Sequence, residues 1–244
     1  MNVAAVFVAA LITALATGLG ALPLLFGRQI HDAGVGIATA VAAGFMLGAS
    51  AGLFWQGMKE GPGKTAVGAL LGAAFIVLSR RLLGNHGDVE FGVLRGADAV
   101  GALMIVGVMT VHSFTEGVGV GVAFGDGKTL GVLITIAIAI HNIPEGLAIS
   151  LVLVPRGVSV LRAAGWSVFT SLPQPLMAVP AYLLVEWFRP FLPVGLGFAG
   201  GAMVWMVARQ LIPDALTTAR PRAVAAAAVL SGLAMVALQA LLLG

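Results

Sequence analysis

Apolar runs long enough to cross a bilayer recur along this chain, with only short polar breaks between them. They cover Val3–Leu25, Gly36–Met58, Ala66–Leu83, Ala97–Phe124, Leu130–Val154, Ala163–Phe188, Val194–Pro213 and Ala223–Leu243. A hydrocarbon core about 30 Å thick takes about 20 helical residues to cross, so the third run is short and the fourth is long enough to tilt or protrude. Only 9% of residues are charged and 59% are apolar, with a mean hydropathy of +1.05. Soluble domains carry about 25% charged residues. The expected fold is an all-α integral membrane protein, a bundle of eight transmembrane helices. The breaks, among them Lys59–Lys64, Gly125–Lys128, Pro155–Gly157 and Arg220–Arg222, hold charges and turn formers. None is long enough to separate a second domain, so residues 1–244 read as one transmembrane domain.

Glycine makes up 34 of 244 residues, which suits helices that pack closely through small side chains. The absence of cysteine excludes disulfides and thiolate ligands, so nitrogen and oxygen must hold any bound metal. The net charge is a modest +3, and the 13 Lys and Arg are scattered, which excludes a nucleic-acid-binding patch. Their placement sets orientation instead. Arg28, Arg80, Arg81, Arg95, Arg156, Arg162, Arg209, Arg220 and Arg222 fall on one side of the membrane; Lys59, Lys64, Lys128 and Arg189 fall on the other. The excess of basic residues belongs in the cytoplasm, which puts both termini outside. The start, Met1-Asn-Val-Ala-Ala-Val, has no basic segment before its apolar run and is expected to be a retained first span.

Two copies of one pattern sit inside this apolar background. The fourth run holds His112-Ser-Phe-Thr-Glu116-Gly-Val-Gly-Val-Gly121, and the fifth holds His141-Asn-Ile-Pro-Glu145-Gly-Leu-Ala-Ile-Ser150. On a helix, a histidine and a glutamate four residues apart share one face, one turn from each other. An ionisable side chain at the bilayer centre costs about 2.5–3.5 kcal/mol or more, so such groups mark a transport path, a proton relay or a bound ion. Runs four and five are joined by a short turn and so run antiparallel. One motif on antiparallel neighbours is what a twofold axis in the membrane plane generates, and the bundle is expected to have inverted-repeat pseudo-symmetry.

His112, Glu116, His141 and Glu145 offer two imidazoles and two carboxylates, a set suited to zinc and other divalent transition metals. Two carboxylates and a divalent cation sum to zero charge, so the loaded site is neutral in low dielectric, and the empty one should recruit protons. Gly117, Gly119, Gly121 and Gly146 give a neighbouring helix room to approach. Pro144 removes a helical hydrogen bond and frees a carbonyl near Ala139 or Ile140.

Pro173-Gln174-Pro175 is expected to break the sixth run near mid-membrane, with Gln174 facing a polar path. Gln210 and Asp214 lie one turn apart at the expected cytoplasmic end of the seventh run, as path-lining groups or as a solvated helix end. Asp98 reads as a first-turn acid, and His31 and His86 as loop residues. The methionines read mainly as lipid-compatible packing, with Met109 and Met177 as candidate soft contacts to the site. Trp55, Trp166 and Trp187 read as interface anchors, and Trp205 as packing.

The fifth-run sequence His141-Asn-Ile-Pro-Glu145-Gly-Leu-Ala-Ile-Ser150 resembles the signature of the ZIP (Zrt/Irt-like) family of divalent metal transporters, and His112-Ser-Phe-Thr-Glu116-Gly is similar to that family's fourth-span motif. Eight spans with both termini outside, and Gly201-Ala-Met-Val-Trp-Met-Val-Ala-Arg-Gln-Leu-Ile-Pro213-Asp214, extend the likeness over nearly the whole chain. The resemblance, closest to the bacterial type, implies transport of zinc and related cations (iron, manganese, cobalt, cadmium) into the cytoplasm. It also implies a homodimer in the bacterial cytoplasmic (inner) membrane, in contact with lipid. It assigns His112, Glu116, His141 and Glu145 to a central metal site. Many members hold a second metal beside it, using positions that read Ser113, Asn142 and Gln174 here. Ser113 and Gln174 depart from the family's Asn and Glu, and Thr115 replaces its proline, so one metal per protomer is expected.

Two other readings use the same side chains. An intramembrane zinc hydrolase would employ Glu116 or Glu145 as a base, although no HExxH pattern is present. A proton relay or scaffold would use the His–Glu pairs for hydrogen bonding alone.

Overall fold

The structure, a computed structural model, describes residues 2–26, 32–84 and 90–243. Arg28, His31 and His86 lie outside the described residues. The first span is α1 (Val3–Leu19), capped by Asn2, whose side-chain oxygen accepts from the Ala5 N–H at 2.9 Å, and is extended by the short α2 (Pro23–Phe26). The second and third are α3 (Asp32–Glu60) and α4 (Pro62–Gly84), separated by Gly61 alone. The α4 helix is 23 residues long, and the part of it apolar enough to cross a membrane, Pro62–Ser79, is 18 residues, the short span expected. Pro62 starts it because the first helical turn needs no donor there, and Lys64 and Thr65 ride inside that turn.

A small antiparallel hairpin, β1 (Glu90–Phe91) and β2 (Leu94–Arg95), precedes the fourth span and adds to the expected all-α plan. Its Phe91 ring lies 4.7 Å from Trp166. The fourth and fifth spans are α5 (Gly96–Asp126) and α6 (Lys128–Leu153). Gly127 alone links them, at φ +148° and ψ 154°, a conformation open essentially to glycine only.

Seven stretches among the described residues are long and apolar enough to cross a membrane as single helices. The sixth span is the exception. It consists of α7 (Val160–Ser171) and α8 (Pro173–Leu183), which meet at Leu172, next to Pro173 and Pro175, each of which lacks a backbone donor. After the one-turn α9 (Val185–Phe188), the seventh span continues from α10 (Leu192–Met206) through a π-helical segment, Val207–Leu211, into α11 (Ile212–Thr218). The ring of Pro213 crowds the carbonyl of residue 209, and the wider π turn accommodates it. The eighth span is α12 (Pro221–Leu243).

The helices form two groups. In one, α1, α5, α6, α7 and α8 pack together; in the other, α3 packs on α12 and α4 on α10. Contacts of α3 with α6 and of α10 with α5 join the groups. This packing maps onto itself when span one is exchanged with six, two with seven, three with eight and four with five. Thus α1 against α6 corresponds to α8 against α5, and α3 against α12 corresponds to α10 against α4. The pairing is that of an inverted repeat about an axis between α5 and α6.

Met46, Met104, Met109, Met203 and Met206 are buried along the seam of the two groups, instead of facing lipid. A flexible thioether fills irregular gaps between helices that small residues bring close together. Trp55 and Trp187 are exposed, at 67% and 77%, and Lys59 lies 5.0 Å above the Trp55 ring. Trp205 is exposed as well, contrary to its reading as packing. The buried face of this span carries Met203, Met206 and Val207, and residue 205 falls on the other side.

Candidate metal centre

Four-residue spacing on two antiparallel helices brings the ionisable groups together. His112 and Glu116 on α5, and His141 and Glu145 on α6, offer ligand atoms that all lie within 4.8 Å of one another. His112 Nε2 is 3.3 Å from Glu116 Oε1 and 2.9 Å from Glu145 Oε1. His141 Nε2 is 2.9 Å from Glu145 Oε1 and 3.8 Å from Glu116 Oε1. Both Nε2 atoms and one oxygen of each carboxylate therefore converge on a common point. The residues are 1–7% exposed, so their charge has almost no help from water.

His112 departs most from an ordinary buried side chain. Nδ1 has no hydrogen-bond partner among the described residues, and Nε2 has only the two carboxylate oxygens, at 2.9 Å from Glu145 and 3.3 Å from Glu116. Buried imidazole nitrogens are nearly always bonded. A cation shared with the carboxylates suits an in-plane lone pair on Nε2, and the donor set of two nitrogens and two carboxylate oxygens matches zinc-type coordination.

The glycine after each glutamate seats the flanking helix. A methyl group at Gly146 would overlap the carbonyl oxygen of Thr17 on α1, and one at Gly117 would overlap that of Gln174 on α8. Gly121 is pressed in the same way against Ala178. Gly119 is not: no atom lies near the position of its missing methyl. Residues 117 and 121 share the face toward α8, and 119 lies two residues, about 200°, around the helix.

The secondary candidates separate into two places. Ser113, Asn142 and Gln174 are buried within the same helix group as the four ligands. Asn142 Nδ2 donates to the Thr13 carbonyl at 2.7 Å and to Gln174 Oε1 at 3.1 Å. Gln174 Nε2 donates to Glu116 Oε2, and Gln174 Oε1 also lies against the Thr13 hydroxyl, whose one proton is shared with the Ala10 carbonyl at 2.6 Å. Thr13 went unremarked in the sequence, although Thr13 and Thr17, four residues apart in the first apolar run, put two hydroxyls on one helix face. Asp214 instead heads α11, where its carboxylate is 3.5 Å from Arg156, whose Nε lies 2.9 Å from Asp98. Gln210 donates to the Gly101 carbonyl at 3.3 Å. These groups tie helix ends together, and Asp214 is partly exposed there.

Residues 90–240 match the family described as ZIP Zinc transporter. The chain is 48% identical over 244 residues to an Arabidopsis thaliana protein whose zinc-transporter name is provisional; the match covers 99% of this chain and 39% of that protein. It is 34% identical over 228 residues to zinc transporter GufA of Myxococcus xanthus, covering 85% of this chain and 87% of the relative. Zinc transporter ZIPB of Bordetella bronchiseptica is 31% identical over 217 residues, covering 82% and 69%. The chain thus spans about two fifths of the Arabidopsis relative and most of the two bacterial ones. The matched region takes in both motif helices and the three spans after them, and the chain belongs to the ZIP zinc transporter family.

Proposed function

We propose that the protein carries divalent transition-metal cations, zinc foremost, across the membrane into the cytoplasm, through a site made by His112, Glu116, His141 and Glu145. The observation that carries this reading is the convergence of two imidazole nitrogens and two carboxylates, all buried, on facing antiparallel spans. Four such groups are costly within a bilayer, and a divalent cation between them brings the formal charge to zero. The printed names of the relatives, zinc transporters from a plant and from bacteria, support zinc as cargo. Other divalent ions, iron, manganese, cobalt or cadmium, fit the same donors, and their availability sets which is carried.

Orientation follows from the basic residues: Arg156, Arg162, Arg209, Arg220 and Arg222 face the cytoplasm and both termini lie outside. The family resemblance supports a homodimer in a bacterial cytoplasmic membrane. The family is one of transporters, which sets aside the hydrolase reading.

Purified protein in liposomes loaded with a metal-sensitive dye and a pH dye tests the proposal. Zinc added outside should raise the internal metal signal at a saturable rate. No flux of any divalent ion in the panel, from correctly inserted protein, would contradict it. Thermal stabilisation by zinc should accompany transport, since binding to the folded state alone raises its stability; its absence would favour the scaffold reading.

A further inference from the structure

The two oxygens of Glu116 face different partners. Oε1 is the one near His112 and His141, whereas Oε2 accepts a hydrogen bond from the side-chain amide of Gln174. That amide cannot turn around freely. The Thr13 carbonyl accepts from Asn142 Nδ2 and fixes which end of the Asn142 amide is the donor. The second hydrogen of that nitrogen then points at Gln174 and requires an oxygen there. With Gln174 Oε1 facing the Asn142 donor, its NH2 must face Glu116. Every member of this series is at most 6% exposed, so water cannot substitute for a lost partner.

We propose that Gln174 is a positioning residue that holds Glu116 to one cation-facing oxygen, and that it thereby sets how well the site separates zinc-sized from larger divalent cations. It is not a ligand: its oxygen is already engaged. The inference rests on the four-residue cation site proposed above. Zinc is satisfied by four ligands, one oxygen from each carboxylate. Larger cations gain by taking both oxygens of a carboxylate, which raises their ligand number. Swinging Glu116 into that mode breaks the bond from Gln174 and leaves a buried amide N–H without an acceptor. The penalty falls on the larger ion alone.

Cadmium is the probe of choice because it has the charge and filled d shell of zinc and a larger radius. Dissociation constants for zinc and cadmium are measured on the purified full chain of the unmodified protein, Gln174→Ala, Thr13→Val and Glu116→Ala. Gln174→Ala should move the zinc-to-cadmium preference about tenfold toward cadmium, the scale of one hydrogen bond to a charged group. Thr13→Val keeps Gln174 and replaces the hydroxyl that packs against its oxygen with a methyl, so it should shift the ratio in the same direction by a smaller factor. It also carries the test if the Ala variant does not fold. A role in packing alone would weaken both ions in proportion. An unchanged ratio in the folded variants overturns the proposal while a loss of zinc binding in Glu116→Ala upholds the site. Unchanged zinc binding in Glu116→Ala would overturn the site reading itself.

Discussion

His112 Nε2 lies 2.9 Å from Glu145 Oε1, so the histidine of one motif meets the carboxylate of the other across the α5–α6 interface. Neither helix completes the cluster by itself. Coupling between the two positions should therefore be strong. His112→Ala and Glu145→Ala should each weaken zinc binding by about 100-fold or more, beyond the 10–100-fold cost of losing an outer partner of a metal site. The double variant should be little worse than the poorer single one, because a broken site has little left to lose. Zinc titration of the four proteins gives the cycle, and additive losses would mean that the two residues do not share a cation.

Gly146 and Gly119 make a matched pair of tests within the helices that bear the motifs. A methyl at Gly146 overlaps the Thr17 carbonyl, whereas one at Gly119 meets open space. Gly146→Ala should separate α1 from α6 and cost about 1–3 kcal/mol, as overpacking does. Gly119→Ala should be neutral or slightly stabilising, since alanine favours a helix over glycine. Thermal unfolding of the purified variants in detergent measures both, and equal melting temperatures would show that the close approach of α1 and α6 is not needed.

Cysteine labelling reads out orientation without background, since the chain has no native cysteine. Ser159, exposed between α6 and α7, should be reached only from the cytoplasm. Gly63 and Lys128, both exposed, should be reached from outside. An impermeant maleimide applied to intact cells should label Gly63→Cys and Lys128→Cys and spare Ser159→Cys. The opposite pattern would reverse the orientation, and with it the direction assigned to transport.

Local periodicity made much of the site legible. His112/Glu116 and His141/Glu145 could be read as two one-face pairs because four residues make about one helical turn, and a short link forced their helices antiparallel. Pro173 and Pro175 announced the break in the sixth span for an equally local reason, the loss of backbone donors. What stayed hidden depends on which helix lies opposite. Gly117 and Gly119 look alike in sequence, yet only the first touches α8. Trp205 faces outward because of how α10 is rotated, which its own residues do not reveal. The role of Gln174 is similarly remote: its amide is oriented by Thr13 and Asn142, residues 161 and 32 positions away. Seen in sequence, Gln174 offered a neutral oxygen to a cation; in the fold that oxygen is engaged and the nitrogen faces Glu116.

Anomalous diffraction at the zinc edge from crystals of the zinc-loaded protein locates the cation directly. One strong peak per protomer is expected, about 2.0–2.2 Å from Nε2 of His112 and His141 and from an oxygen of each of Glu116 and Glu145. A second cation close by would add two positive charges with no further carboxylate to offset them, because Gln174 and Asn142 are neutral. A peak elsewhere in the bundle, or two fully occupied peaks side by side at the cluster, would contradict a single-cation site built from these four residues.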